Sequence, residues 1–311
     1  MKQLSREAFG RACQFLVKQA RPLERALFEH RFEGATVDGA LAELARFQNE
    51  DGGFGQALEA DLRTPSSSAL TTGIGLRMLK ELGCPADHPM VNKAVAYLIA
   101  TFDKETQIWR VAPSDTNLYP HAPWWHDEDG SLARLFDSFR IIPRALIVGL
   151  LHHYSTLVPA GWLDEVTEET VRYIETVEVL GEGGGSDLEY AISLAETRNL
   201  PQHYTTLIKA RIQEAIPAVV VRDSTKWDSY CITPLRVVSS PQSFGADLIL
   251  DELQMHLDYQ IAHQTPEGTW DPTWSWGDSY PEVWEQAKLE WRGHLTLEAV
   301  TQLRAFGRNE A

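Results

Sequence analysis

Cysteine is scarce, and strand-like patterning is scarcer still. Only Cys13, Cys84 and Cys231 occur in 311 residues, an odd count at wide spacings that forms neither a disulfide framework nor a Cys-x-x-Cys metal knuckle. That usage points to a reducing compartment. No segment approaches the ~20 apolar residues of a membrane span. The first stretch, MKQLSREAFGRACQFLVKQARPLERALF, interrupts its apolar residues with charge every few positions, unlike an export signal. The sequence therefore reads as cytoplasmic, with transient membrane contact at most. Basic residues are also in deficit: 28 Lys and Arg stand against 44 Asp and Glu, a net charge of −16. Without a basic patch, the attraction that supplies most nonspecific nucleic-acid affinity is missing, so nucleic acid is not an expected partner. There is no Gly-x-Ser-x-Gly, no phosphate-binding Gly-Lys-Ser/Thr loop and no His-Glu-x-x-His, which leaves hydrolase and nucleotide readings without an anchor.

What is present is helical periodicity. Val91, Ala94, Val95, Leu98 and Phe102 recur at helix spacing, as do Leu250, Leu253, Leu257 and Ile261, and Leu295, Ala299, Leu303 and Phe306. Breakers at Pro22, Gly52-Gly53, Pro65, Gly83, Pro159, Gly181 to Gly185, Pro201, Pro241 and Gly268 separate these stripes at hairpin distances. The one β-like stretch, Ala218 to Val221, is short and can equally finish the helix that Pro201 opens. The expected class is all-α, with residues 1–311 in a single domain. The segment SSSALTTGIGLRML, Ser66 to Leu79, is apolar or small on every face, so its helix is expected to be surrounded by others. Small-residue inner helices inside amphipathic outer ones describe an α/α toroid; a stacked solenoid is the alternative.

An internal repeat supports helix pairs. LAELARFQNEDGGFG (Leu41 to Gly55) and LDYQIAHQTPEGTW (Leu257 to Trp270) each run from an apolar helix through Gln, then a short acidic Gly turn, to an aromatic. Gly52, Gly53 and Gly268 permit the turn, Phe54 or Trp270 plugs it, and Gln48 or Gln264 can bond exposed backbone. Tyr97 to Trp109 keeps the aromatic without the glycines, and Gly181 to Gly185 keeps glycines without the aromatic. This pattern resembles the QW-type repeat of squalene-hopene cyclases and of protein prenyltransferase β subunits. The resemblance implies an α/α toroid of about six helical hairpins enclosing an isoprenoid. In size the chain is similar to single-domain class II terpene cyclases of the merosterolic acid synthase kind. Such enzymes carry an Asp-x-Asp-Asp acid motif, and this chain has no such string; its nearest acidic stretches are Glu59 to Leu62 and Asp127 to Gly130.

The resemblance implies protonation-initiated cyclisation of a polyprenyl or prenylated aromatic substrate by a monomer that uses no cofactor and no metal. Asp61 is the expected proton donor and Glu59 the neighbour that keeps it protonated, because they lead into the small-residue helix. A surface loop with Asp61 paired to Arg63 would instead favour the anion. Asp127, Glu128 and Asp129 are the rival acids. Trp109, Trp124, Trp125, Trp227, Tyr230, Trp274 and Trp276 are the candidate cavity wall, since each ring face attracts a cation by about 0.5–2 kcal/mol; Trp270, Trp284 and Trp291 read as plugs. Asp228, Cys231 and His294 resemble a prenyltransferase zinc set, but with two residues rather than one between Asp and Cys. His152 and His153 read as helix-end residues. The alternatives are a zinc-dependent prenyltransferase-like subunit, a non-catalytic isoprenoid-binding toroid, or a glycan-acting toroid with paired carboxylates.

Overall fold

The computed structural model describes residues 1–137, 140–181 and 185–310. Helices α1 (Arg6–Lys18), α2 (Pro22–Phe32), α3 (Val37–Ala45), α4 (Ala69–Glu81) and α5 (Pro89–Ala100) precede a long irregular stretch. Helices α6 (Arg144–His153), α7 (Ala160–Thr176), α8 (Ser186–Ala195), α9 (Gln202–Val219), α10 (Pro234–Val237), α11 (Leu250–Ala262) and α12 (Pro281–Ala305) follow it. Among the described residues, strand-type pairing is confined to isolated bridges, so the chain is all-α. The β-like Ala218 to Val221 stretch ends α9 at Val219. By its contacts the chain divides into two compact units: a split unit, Met1–Glu43 with Ile216–Ala311, and a continuous unit, Leu44–Ala215.

In the split unit α1 packs on α2 and α12, α2 on α12, and α10 on α11. Helix α1 starts where the Ser5 hydroxyl accepts the Ala8 N–H at 3.1 Å, a side-chain cap for an otherwise orphaned donor. It buries Ala12, Phe15 and Leu16 on one stripe. The Leu4 N–H donates to the Arg308 carbonyl at 2.7 Å and the Glu310 N–H to the Leu4 carbonyl at 3.1 Å. Buried charge is paired here. Glu24 accepts from Arg21 Nε at 2.9 Å and Nη2 at 2.6 Å, Arg21 reaches Glu290 at 3.6 Å, and Arg308 lies 2.8 Å from Asp258.

In the continuous unit α4 packs on α5 and α6, and α6 on α7 and α8. Ser68 and Thr71 form a reciprocal capping box that fixes the start of α4. Only Ile74, Arg77, Lys80 and Glu81 of this helix escape full burial, as the small-residue pattern predicts for a helix enclosed by others. Every residue of α6 from Arg144 to His152 is buried as well.

The two clear copies of the repeat turn share one construction, one copy in each unit. Gln48 Nε2 donates to the Gly52 carbonyl and to the Met90 carbonyl in the first turn of α5, both at 2.9 Å. Gln264 Nε2 donates to the Gly268 carbonyl at 3.1 Å and to the Ala8 carbonyl in the first turn of α1 at 3.0 Å. The plug's own N–H is held by a threonine hydroxyl in each case: Phe54 by Thr72 at 2.9 Å, Trp270 by Thr296 at 3.3 Å. Gly52 and Gly268 both sit at φ +90°. A Cβ would lie 2.6 Å from the Lys93 carbonyl oxygen at the first and 2.5 Å from the Arg11 carbonyl carbon at the second, so only glycine fits. Of the weak copy at Gly181 to Gly185, residues 182–184 lie outside the described residues.

Candidate active site

The loop between the Phe54 turn and α4 carries the acids. Gln56 and Ala57 both adopt positive φ, 55° and 58°, which is uncommon for residues with a Cβ. Asn49 helps to hold this conformation. Its Nδ2 donates to the Pro65 carbonyl at 2.8 Å and to the Ser67 hydroxyl at 2.9 Å, while its Oδ1 accepts from Gln56 Nε2 at 2.9 Å. The Leu62 N–H then donates to the Glu59 carbonyl at 3.1 Å, closing a tight turn around Ala60 and Asp61.

That turn is clamped against the tryptophan loop. Leu62 and His121 form an isolated antiparallel bridge. The Ala122 N–H donates to the Asp61 carbonyl at 2.9 Å and the Arg63 N–H to the Pro120 carbonyl at 3.1 Å. Asp115 adds a second tie by accepting the Thr64 and Ser66 hydroxyls at 3.0 and 2.7 Å. The acid turn is therefore tied to the Pro120 to Ala122 stretch that leads into the tryptophan loop. Glu59 is 9% exposed and Asp61 3%, among buried Leu58, Ala60, Leu62 and Ala122. Asp61 is thus buried and not on the surface, and half-buried Arg63, two residues on, directs its Nη1 to the Ala60 carbonyl at 3.3 Å.

Around the clamp, Trp125 is buried and Trp124 is 37% exposed. His121 is buried; its Nδ1 lies 2.6 Å from the Tyr119 carbonyl and its Nε2 3.1 Å from Nδ1 of exposed His126. The rival acids Asp127, Glu128 and Asp129 are exposed. Asp127 holds its own loop, accepting the Leu132 N–H at 3.0 Å and donating its backbone N–H to Asn117 Oδ1 at 2.9 Å. His121 and Asp115 are absent from the sequence-level candidates. The histidine lies three residues before Trp124, but nothing local marks it as the residue that pairs with Leu62.

Trp109 belongs with the plugs. It is buried against Phe102 at 4.6 Å between ring centres, and its Nε1 donates to the Leu98 carbonyl at 2.7 Å, much as Trp270 Nε1 donates to the Gln260 carbonyl at 2.8 Å. In the split unit Trp227 and Trp276 are 2% and 1% exposed. Trp227 Nε1 donates to the Val221 carbonyl at 2.7 Å and its ring meets His256 and Tyr259 edge-on; Trp276 packs on Trp284 at 5.6 Å. Tyr230 and Trp274 differ. Tyr230 is 54% exposed and lies 6.2 Å from Trp274, which stands edge-on to Trp291 at 5.0 Å. The anticipated wall thus separates into buried indoles, Trp109, Trp125, Trp227 and Trp276, and the more open Trp124, Tyr230 and Trp274, the last of which meets Trp291, expected as a plug.

The zinc-like set has other engagements. The Tyr259 hydroxyl donates to Asp228 Oδ1, the Cys231 thiol to the Lys226 carbonyl at 3.6 Å, and His294 meets the edge of Trp291 at 5.6 Å. Burial, opposed by nearby Arg236, keeps the Cys231 thiol above its ordinary pKa and so protonated. Among the described residues no group of three or more His, Cys, Asp or Glu is placed to hold a metal ion. His152 and His153 lie in the last turn of α6, as helix-end residues; His152 is buried with its Nε2 2.8 Å from the Thr167 hydroxyl, and burial holds its pKa below the usual value. No described helix is long and apolar enough to cross a membrane. No family model matches the chain, and neither the curated proteins nor the solved structures yield a match.

Proposed function

We propose that the chain is a class II-type terpene cyclase built as an α/α toroid, in which Asp61 protonates the terminal alkene of a polyprenyl or prenylated aromatic substrate. The observation that carries this reading is the burial of Asp61 in a turn clamped to the Trp125 loop. A carboxyl removed from water favours its neutral form, the form a proton donor requires. In the reaction Asp61 transfers its proton to one alkene carbon and the cation forms on the other. Successive internal alkenes attack it, making carbon–carbon bonds, and loss of a proton at the far end restores neutrality. Substrate and product are isomers, so no cofactor is needed. Glu59 resupplies the proton, and the face of Trp125 steadies the cation. The three cysteines are free thiols, which suits a reducing cytoplasm.

Asp61→Asn keeps the shape and removes the acidic proton. It is expected to abolish cyclisation of a prenylated phenol, followed by mass spectrometry and chromatography of the isomers, while the protein still folds and binds substrate. Cyclisation by Asp61→Asn at the wild-type rate, with Asp127→Asn or Asp129→Asn inactive, would move the donor to the second acidic loop.

A further inference from the structure

Three arginines converge on one phenol in the continuous unit. The guanidinium carbons of Arg140, Arg144 and Arg172 stand 5.0, 5.5 and 5.0 Å from the centre of the Tyr173 ring. In a chain of net charge −16, cations gathered this closely oppose the general shortage of positive charge. Counter-charge is sparse. Glu169 pairs with Arg172 at 2.5 Å, and among the described residues no carboxylate forms an ion pair with Arg140 or Arg144.

The cluster has a floor and an open side. Arg144 is 2% exposed and held by neutral groups only: its Nε donates to the Thr170 hydroxyl at 2.8 Å, Nη1 to the Gln107 carbonyl and Nη2 to the Val166 carbonyl at 3.4 Å. Burial first, opposed by Tyr173 and Glu169 and reinforced by Arg140 and Arg172, lowers its pKa to about 10, which still leaves it cationic at neutral pH. Arg140 and Arg172 are exposed and Tyr173 is half-buried. Arg140 Nη1 donates to the Tyr173 hydroxyl, which leaves the phenol's own O–H able to donate to a ligand oxygen.

We propose that Arg140, Arg172 and Tyr173, above the buried charge of Arg144, bind a dianionic phosphoryl group carried on a phosphomonoester or a diphosphate. Three guanidinium charges against the single carboxylate of Glu169 leave two positive charges, which a dianion matches and a carboxylate or chloride does not. The planar guanidinium forks on Arg140 and Arg172 suit bidentate contact with phosphate oxygens. Arg144 is a positioning residue that supplies field from beneath. This site is independent of the cyclase reading.

Isothermal titration at pH 7.5 and low ionic strength, with inorganic phosphate, phenyl phosphate, pyrophosphate and acetate, tests the proposal. Phosphate-bearing probes are expected to bind one to one and at least tenfold more tightly than acetate, and added salt weakens them. Tightest binding by pyrophosphate assigns a diphosphate, and tightest binding by phenyl phosphate a monoester. Arg140→Gln and Arg172→Gln are each expected to weaken binding at least tenfold with an unchanged melting temperature. Arg222→Gln, an exposed arginine of the split unit, leaves it unaltered. Absence of saturable binding to the folded wild type, equal binding of acetate, or retained affinity in either Arg140→Gln or Arg172→Gln would reduce the cluster to cation–π packing and overturn the proposal.

Discussion

The two units treat buried charge in opposite ways. In the split unit Glu24, 1% exposed, takes two donors of Arg21, and Arg308, 3% exposed, sits on Asp258. In the continuous unit Arg144 is just as deep but meets a hydroxyl and two carbonyls. Charges that satisfy each other make a fixed scaffold, whereas a buried charge faced by neutral dipoles keeps most of its field for a ligand or for a reaction. That the same Gln-to-aromatic turn stands in both units makes the contrast informative, since the turn is common and the electrostatics differ.

The largest expected effect tests what the units share. Phe54 is fully buried and Trp270 nearly so, and Phe54→Ala and Trp270→Ala are each expected to cost about 3–5 kcal/mol in denaturant unfolding. A loss at only one of them breaks the parallel between the turns. Next comes the contrast itself. Glu24→Gln removes the nearer of the two carboxylates that face buried Arg21, leaving Glu290 at 3.6 Å, and is expected to cost about 3 kcal/mol. Arg144→Met leaves only neutral groups behind, including a Thr170 hydroxyl that already donates to the Val166 carbonyl at 2.6 Å; about 1 kcal/mol is expected there. Equal losses would remove the distinction.

Protonation sharpens it further. His256 in α11 accepts the Leu235 N–H at 3.3 Å, and burial, with His263 adding to it, lowers its pKa to about 3. It is neutral in the folded protein near neutral pH and ordinary when unfolded. Its contribution is therefore full above about pH 6.5 and is lost as pH falls toward 3, reaching about 2 kcal/mol of loss at pH 5. His256→Asn keeps a nearby acceptor and is expected to flatten the melting temperature between pH 6.5 and 5; an unchanged slope would place the sensitivity elsewhere. The smallest effect belongs to the glutamines. Gln48→Ala and Gln264→Ala each strip a donor from two carbonyls, about 1 kcal/mol apiece, and similar shifts in unfolding midpoint are the expected sign of equivalence.

Local signals were legible in the sequence and long-range ones were not. The stripe Val91, Ala94, Val95 and Leu98 is 0–1% exposed, because a helix repeats its inward face every few residues. In α11 the same reasoning places Leu253 and Leu257 correctly, yet Leu250 at the helix start is 57% exposed. The glutamine turn was readable from its own residues, but Met90, Ala8, Thr72 and Thr296, which complete it, lie on distant helices. Asp61 shows the same limit. Its position ahead of a small-residue helix is visible, whereas its burial follows from pairing between Leu62 and His121, two irregular segments with no periodicity to announce each other. Trp227 and Trp276 look like Trp274 in sequence, and only the neighbours they meet make them plugs.

The pairing of Leu4 with Arg308 and Glu310 has a consequence for the order in which the molecule is completed. During synthesis α1 and α2 emerge before the whole continuous unit, while α12, against which both pack, emerges after it. The apolar stripe of Phe15 and Leu16 must wait through that interval for its partner, and closing so long a loop is slow and entropically opposed. The Phe15 and Leu16 face of α1 is thus covered by α12 only after the whole continuous unit has been made, and an apolar face left open that long is exposed to wrong partners.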